Sequence, residues 1–576
     1  MFGTTRTPLF ALVLLTSLTA QAGTAWAQDQ SPQTTSDKSS KITDAYIDEL
    51  IRAAAQHAGV TQPTATSAGL RSAAAGGQDA VPTVPLTVDD AIKLALDRNL
   101  DIAVQRLNPS TFDYSIAGLY AAYKPTLISQ ISHVANTNPS TSTISGAAVG
   151  TGIDQGNSVF NGGLSQNLRW GGGSLTATLN NNRQTTTSLT SLFNPLFNTN
   201  WSAQYTQPLL RNRQIDTNRQ QLVVTKLNQD ISEIQLQALI INTVSNVRNA
   251  YWDLVFATES VAVARRSVEL ADRLVRDNQT RVEIGTMAPI DVVQAQSQAA
   301  TQRQNQATAE GTRRTAELAL KRLIVNGTQD PNWNAAINAV ERPEFSPTPV
   351  DVTSAIRRAL ESRTDLQQAR KNLQVNDTTL KYLGNQMLPQ ADLVARYGLI
   401  GQGGTQYISS GSGINRQVTG TVPGGYSNAL SSLFGANYPT WTVQLNVSYP
   451  IGTSAADSSV ARARVQLNQV EAQLKQIELQ IATEVTNAAT SMQSAIERVQ
   501  AAQAARDFAQ QTLDAEQSKF EVGMSTNYFV VQAQRDLATA QNNELQAVLA
   551  YRRSLVELER LQQTSLTTSN ITILGR

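Results

Sequence analysis

Few residues in this chain could do covalent or metal chemistry. There is no cysteine, and the two histidines, His57 and His133, stand in unrelated contexts. Thiol nucleophiles, disulfides and a lipid-bearing cysteine are thereby excluded, and a histidine-built metal or general-base site is disfavoured. Nor is there a phosphate loop, a metal-ligand spacing or a nucleophile motif, so catalytic, cofactor and metal residues are all read as none. Lys and Arg number 46 against 45 Asp and Glu, a balance that offers no footprint for nucleic acid. What remains is recognition chemistry in two matching segments: Glu283-Ile-Gly285-Thr286-Met287-Ala288-Pro289-Ile290-Asp291-Val-Val-Gln-Ala-Gln296 and Glu521-Val-Gly523-Met524-Ser525-Thr526-Asn527-Tyr528-Phe529-Val-Val-Gln532-Ala-Gln534. Glycine permits a tight reversal between antiparallel helices and leaves a short exposed surface that a partner could dock on. A merely structural turn is the plain alternative.

These segments belong to a duplication that runs through the chain. Pro85-Leu-Thr-Val-Asp-Asp-Ala91-Ile92 is matched 264 residues on by Pro349-Val-Asp-Val-Thr-Ser-Ala355-Ile356, and the two glycines lie 238 apart. Each copy reads as helix, strands, very long helix, glycine turn, returning helix. The expected organisation is a leader at 1–27, an extension and linker at 28–85, repeat one at 86–326, a linker at 327–349, repeat two at 350–566 and a tail at 567–576. In repeat one the first helical stretch is expected over 88–124, broken at Asn108-Pro109 because proline removes a donor and restricts its neighbour. Repeat two is expected to place its first helix over 352–388. The long helices are expected over 213–281 and 456–519, the first spanning roughly 100 Å at 1.5 Å per residue, with returning helices over 289–323 and 526–561. Ile240, Val247, Leu254, Val261, Val268, Val275 and Val282 keep heptad spacing beside Ala250, Ala257, Ala264 and Ala271. Val485, Met492, Val499, Leu513 and Phe520 repeat it beside Ala488, Ala495, Ala502 and Ala509. Such a period winds helices left-handed, and the alanine seam lets them approach closely.

Met1 to Ala27 has the charge, apolar stretch and Ala25-Trp26-Ala27 cleavage pattern of an export signal. A helix over 43–58 is expected in the extension, as an adaptor or peptidoglycan contact or simply a mobile arm. No later run is apolar and long enough for a membrane helix, so any span must be a closed barrel. Trp441, Val443, Leu445, Val447 and Tyr449 alternate with polar residues, as do Leu393, Ala395, Tyr397 and Leu399, and Trp201, Ala203 and Tyr205. These segments of roughly 9 to 11 residues suit a lipid-facing wall. Thr126 to Thr137 is a poorer match. Leu164 to Trp170 and Leu175 to Asn182, joined by Gly171-Gly-Gly173, read as an extracellular hairpin or as two further strands.

From 86 to 566 the chain resembles the TolC family of outer-membrane efflux proteins. The resemblance implies a mixed α and β membrane protein: a homotrimer sharing one outer-membrane β-barrel, about four strands per chain, continued across the periplasm by a coiled helical tunnel. It implies surrounding outer-membrane lipid, and docking of Gly285 to Asp291 and of Gly523 to Phe529 on a periplasmic membrane-fusion adaptor that serves an inner-membrane pump. Family channels carry two pore-facing aspartates on the repeat-two return helix; the matching positions here are Phe529 and Gln532, while Asp291 keeps an acid at the first turn. The gate set is therefore Asp291, Phe529 and Gln532, with phenylalanine suggesting an apolar constriction. The competing readings are a periplasmic coiled coil without a channel and, more remotely, an enzyme.

Overall fold

A computed structural model describes residues 83–139, 151–188, 190–342, 345–347, 349–411, 417–452 and 454–565. The export signal, the helix over 43–58 and the tail at 567–576 lie outside the described residues.

The helices follow local sequence signals closely. α1 (Val88–Arg98) is capped by Thr87, whose side chain accepts from Asp90 N–H. α2 (Leu100–Ala121) begins at Asn99, whose side chain accepts from Asp101 and Ile102. The expected break at Asn108-Pro109 is thus corrected to Asn99: Pro109 sits buried inside α2 without ending it. One lost helix bond is tolerated there because α2 lies against the long helix that follows. That helix, α3 (Thr217–Glu283), and its counterpart α9 (Ala455–Glu521) each run 67 residues. α9 opens with a reciprocal cap in which Asp457 N–H donates to Ser454 Oγ (3.2 Å) and Ser454 N–H donates to the Asp457 carboxylate (2.8 Å). The returning helices are α4 (Pro289–Ile324) and α10 (Asn527–Leu561); α5 (Pro331–Asn334) is one short turn. In the second repeat α6 (Val352–Ser362) and α7 (Thr364–Gln386) break at Arg363, 264 residues after Asn99.

The heptad rows are the core. Ile240, Val247, Leu254 and Val261 are buried, as are Val485, Met492, Val499, Leu513 and Phe520. In α3 the buried seam then moves to Ala271, Leu274 and Asn278, as it must when a helix nearer 3.6 residues per turn drifts from a seven-residue repeat. At mid-length Tyr251 is fully buried between the helices and a two-stranded parallel sheet of β1 (Thr83–Leu86) and β6 (Ala336–Ala339). Its hydroxyl donates to the Leu86 carbonyl (3.0 Å) and accepts from Glu341 N–H (3.2 Å). Ion pairs join the repeats, Arg553 to Asp253 at 2.6 Å and Arg248 to Glu559.

Among the described residues the second sheet has seven strands, where about four were expected. They are β2 (Thr126–Pro139), β3 (Gly152–Asn167), β4 (Ser174–Thr186), β5 (Phe193–Pro208), β7 (Gln390–Ser410), β8 (Gln417–Val422) and β9 (Pro439–Ser448). All pairings are antiparallel, in the order β2-β3-β4-β5-β7, with β9 on the helix-proximal half of β7 and β8 on its far end. The hairpin left open by the sequence is two full strands: β3 pairs with both neighbours over nearly its whole length. Its Gly171 to Gly173 turn lies at the helical end, where Gln207 Nε2 donates to the Gly171 carbonyl (2.8 Å).

The register sorts the side chains into two faces. Leu127, Leu164, Ala177, Ala203, Tyr397 and Trp441 meet row by row on one face, as do Leu179, Trp201 and Leu399. The opposite face carries Gln130, Asn161, Asn180, Asn200, Gln444 and Asn446. Trp441, Val443, Leu445 and Val447 remain well exposed on the apolar side. The outer edges of β2 and β9 are unpaired among the described residues.

Candidate functional site

Both glycine segments form the same backbone device. Gly285 has φ +80° and Gly523 has φ +78°, the left-handed region that a residue without Cβ enters freely. Gly285 N–H donates to Val282 O and Thr286 N–H to Arg281 O; Gly523 N–H donates to Phe520 O and Met524 N–H to Lys519 O. This doubled pattern of bonds back into the last turn satisfies the orphan carbonyls that end a long helix. The return begins at Pro289, whose fixed φ suits the first helical position, and at Asn527 after the Thr526 cap.

The structure brings the two turns together. Asn527 Nδ2 donates to the Asp291 carbonyl at 3.4 Å. Behind them Leu274, Phe520 and Val530 form a small core with Met287 and Val531. The Arg281 guanidinium lies 4.4 Å from the Phe520 ring centroid and donates to the Phe520 carbonyl. A cleft of about 280 Å3 opens beside them, lined by Arg273, Asp277, Gln517 and Glu521 among others. Sequence reading found Phe520 through its heptad but missed Arg281, since nothing in a linear spacing foretells a cation seated on a ring of another helix. Gly285, Thr286, Ala288, Pro289, Ile290, Gly523, Met524, Thr526 and Tyr528 are exposed; Met287, Asp291 and Ser525 are half-buried and Asn527 is buried. Ser525 Oγ (2.7 Å) and Lys519 Nζ (2.6 Å) donate to the Glu516 carboxylate. The Lys519 bond, then that of Ser525, holds this carboxyl below its ordinary range.

Of the gate set, Phe529 is 54% exposed within the single chain, its ring edge-on to Tyr528 at 5.6 Å. Gln532 is half-buried, with its amide donating to Asp536 (2.9 Å). Asp291 offers its backbone to the second turn and caps nothing with its side chain. Phe529 is thus not packed between helices of its own chain.

The sequence pattern described as "outer membrane efflux protein" matches residues 173–326 and 355–562. The chain belongs to the outer membrane efflux protein family. Solved channels share the fold at low identity. The outer-membrane channel OprN superposes with a TM-score of 0.57 at 14% identity, covering 82% of this chain and 89% of that one. The CmeC outer membrane channel of Campylobacter jejuni gives 0.57 at 15%, covering 85% and 90%. VceC of Vibrio cholerae gives 0.56 at 15%, covering 82% and 95%. Among curated proteins none matches. The efflux family is one of outer-membrane channels and not of enzymes, and its internal repeat is visible here as two matched segments. No helix among the described residues is long and apolar enough to cross a membrane.

Proposed function

We propose that this efflux protein is the passive exit duct of a tripartite efflux or secretion system, receiving substrate from an inner-membrane pump through a periplasmic membrane-fusion adaptor. The observation that carries this is the two-faced sheet with two open edges. One wall is apolar and the other polar, as a barrel between lipid and water requires. A rod without a channel would leave that apolar wall in water. The β2 edge adjoins α2 and the β9 edge adjoins α9, so strands and helices run out at the same two borders. Open edges invite pairing with further copies. Three copies, as the family resemblance implies, each adding β2, β3, β4, β5, β7 and β9 at the membrane belt, make a barrel of eighteen strands. Barrel diameter grows with strand number, so the outer mouth is wider than four strands per chain would give.

Docking of the adaptor on Gly285 to Asp291 and Gly523 to Phe529 is supported by the exposure of most of these residues, Asn527 being buried, and by the rigid helices that carry them. Asp291, Phe529 and Gln532 are assigned to the gate at the same end. The test is the mass of the detergent-purified complex: three chains are expected, and a monomer would overturn the duct.

A further inference from the structure

α8 (Tyr426–Phe434) lies against the apolar face of the second sheet. It follows β8 in the chain, yet its contacts are with β7 and β5. Gly401 and Gly403 are on the same face of β7 as Tyr397 and Leu399, by the two-residue period. A Cβ at Gly401 would overlap the Ala429 carbonyl oxygen, and one at Gly403 would meet Ala429 N at 2.6 Å. The missing side chains therefore make the seat of this helix. Phe197, opposite Gly403, packs its ring 6.0 Å from that of Tyr426, and Tyr426 Oη donates to Asn181 at 2.9 Å.

Within α8, Ala429 and Leu433 are buried against the strands. Along the next row Tyr426 is partly exposed beyond its contact with Phe197, Leu430 is half-buried, and Phe434 is 81% exposed. No charged residue occurs in the helix, and between Gly398 and Ala456 the sequence carries only Arg416. The strands alone make a short belt: from Ala391 to Leu399 the wall rises about 26 Å along the strand at about 3.3 Å per residue, or about 20 Å once tilted by about 40°, against a band of about 25 Å. The helix sits directly above, at the end of the strands away from the long helices. Beside it a crevice of about 340 Å3 is lined by Phe160, Asn181, Phe197 and Tyr426, with Arg183 at its rim.

We propose that α8 is an interfacial helix that completes the membrane-facing belt in the outer leaflet, and that its flanking crevice holds an acyl chain of a phosphate-bearing lipid whose headgroup meets Arg183. This rests on the reading of the sheet as the barrel wall. Apolar side chains and absence of charge suit acyl chains, aromatic rings suit the headgroup boundary, and a guanidinium suits phosphate. Because the chain has no cysteine, Phe434→Cys and Val443→Cys each carry one nitroxide label without background. In vesicles of lipopolysaccharide and phosphatidylethanolamine both labels are expected to relax with oxygen rather than with an aqueous nickel chelate. A lipid-exposed label at 443 with a nickel-exposed label at 434 would overturn the helix assignment alone; nickel access at both would overturn the barrel wall as well. Native mass measurement of complexes given lipopolysaccharide or phosphatidylglycerol in separate arms reads the crevice. Arg183→Ala should retain about tenfold less of whichever lipid binds, the loss of one charge-assisted hydrogen bond; equal retention would overturn the headgroup contact.

Discussion

Phe529 stands exposed in the single chain, which leaves it free to face other copies or the lumen as the proposed gate requires. A narrow apolar ring resists wetting and ion entry. Phe529→Asp should raise cation conductance in planar bilayers and make block by divalent ions stronger, while melting stays near wild type. A lower melting temperature with unchanged cation selectivity would remove Phe529 from the gate and place it in an interface between chains, where an added charge is costly. The two glycines isolate backbone from packing, because nothing lies within 4 Å of a Cβ added at Gly285 or Gly523. Gly285→Val and Gly523→Val should each cost about 1–2 kcal/mol through the left-handed φ alone. Export with the cognate pump should fall while the detergent-stable oligomer persists; normal export by both variants would sever the turns from function. The tight reversals were legible in the sequence, since glycine recurs at the same point between a long and a returning helix in both repeats; the positive φ values came from the structure. The Arg281 and Phe520 stacking was not, because it joins α3 to α9.

At the scale of elements, the junctions at Asn99 and Arg363 show how equivalent positions meet the same need with different chemistry. Asn99 caps α2 with its own side chain and donates through Nδ2 to Leu323 O (3.1 Å). Arg363 makes no side-chain cap on the helix it precedes, and its guanidinium instead bridges Asp365 (2.5 Å) on that helix and Glu484 (2.6 Å) on α9. Burial pushes the Glu484 carboxyl up, but the hydrogen bonds from Arg363 and Gln480 outweigh it and the net shift is downward. A depressed carboxylate contributes stability that is present above its unfolded pKa and is lost as pH falls through the folded one. Arg363→Ala should therefore cost about 2 kcal/mol at neutral pH, and the acid-side fall of the melting temperature should become shallower than in wild type. An unchanged acid slope would mean that Glu484 is held by Gln480 and not by Arg363. Sequence reading put the first break at Asn108-Pro109 because proline is the loudest local signal. The real break is governed by where α1 and α2 seat against α3, which a proline rule does not see.

For the whole molecule the strand number decides the channel's width. A density map of the detergent-purified oligomer should count eighteen strands at the membrane belt, with Gly171 to Gly173 at the periplasmic rim; twelve strands would return β3 and β4 to an extracellular loop. The sequence by itself determined the duplication, the two long helices with heptad rows buried over much of their length, both glycine turns and the strands whose apolar alternation is undiluted, as in Trp441 to Val447. These are properties of short periods, which neighbouring residues encode. It did not determine that Gly152 to Asn167 is a strand, because Gly, Asn and Ser blur the alternation and what holds β3 is a backbone ladder to neighbours on both sides. Nor did it place α8 on the outer wall, where the seat is made by the absence of side chains at Gly401 and Gly403. Pairing partners and close backbone approach are relations between distant segments, and only the tertiary structure decides them.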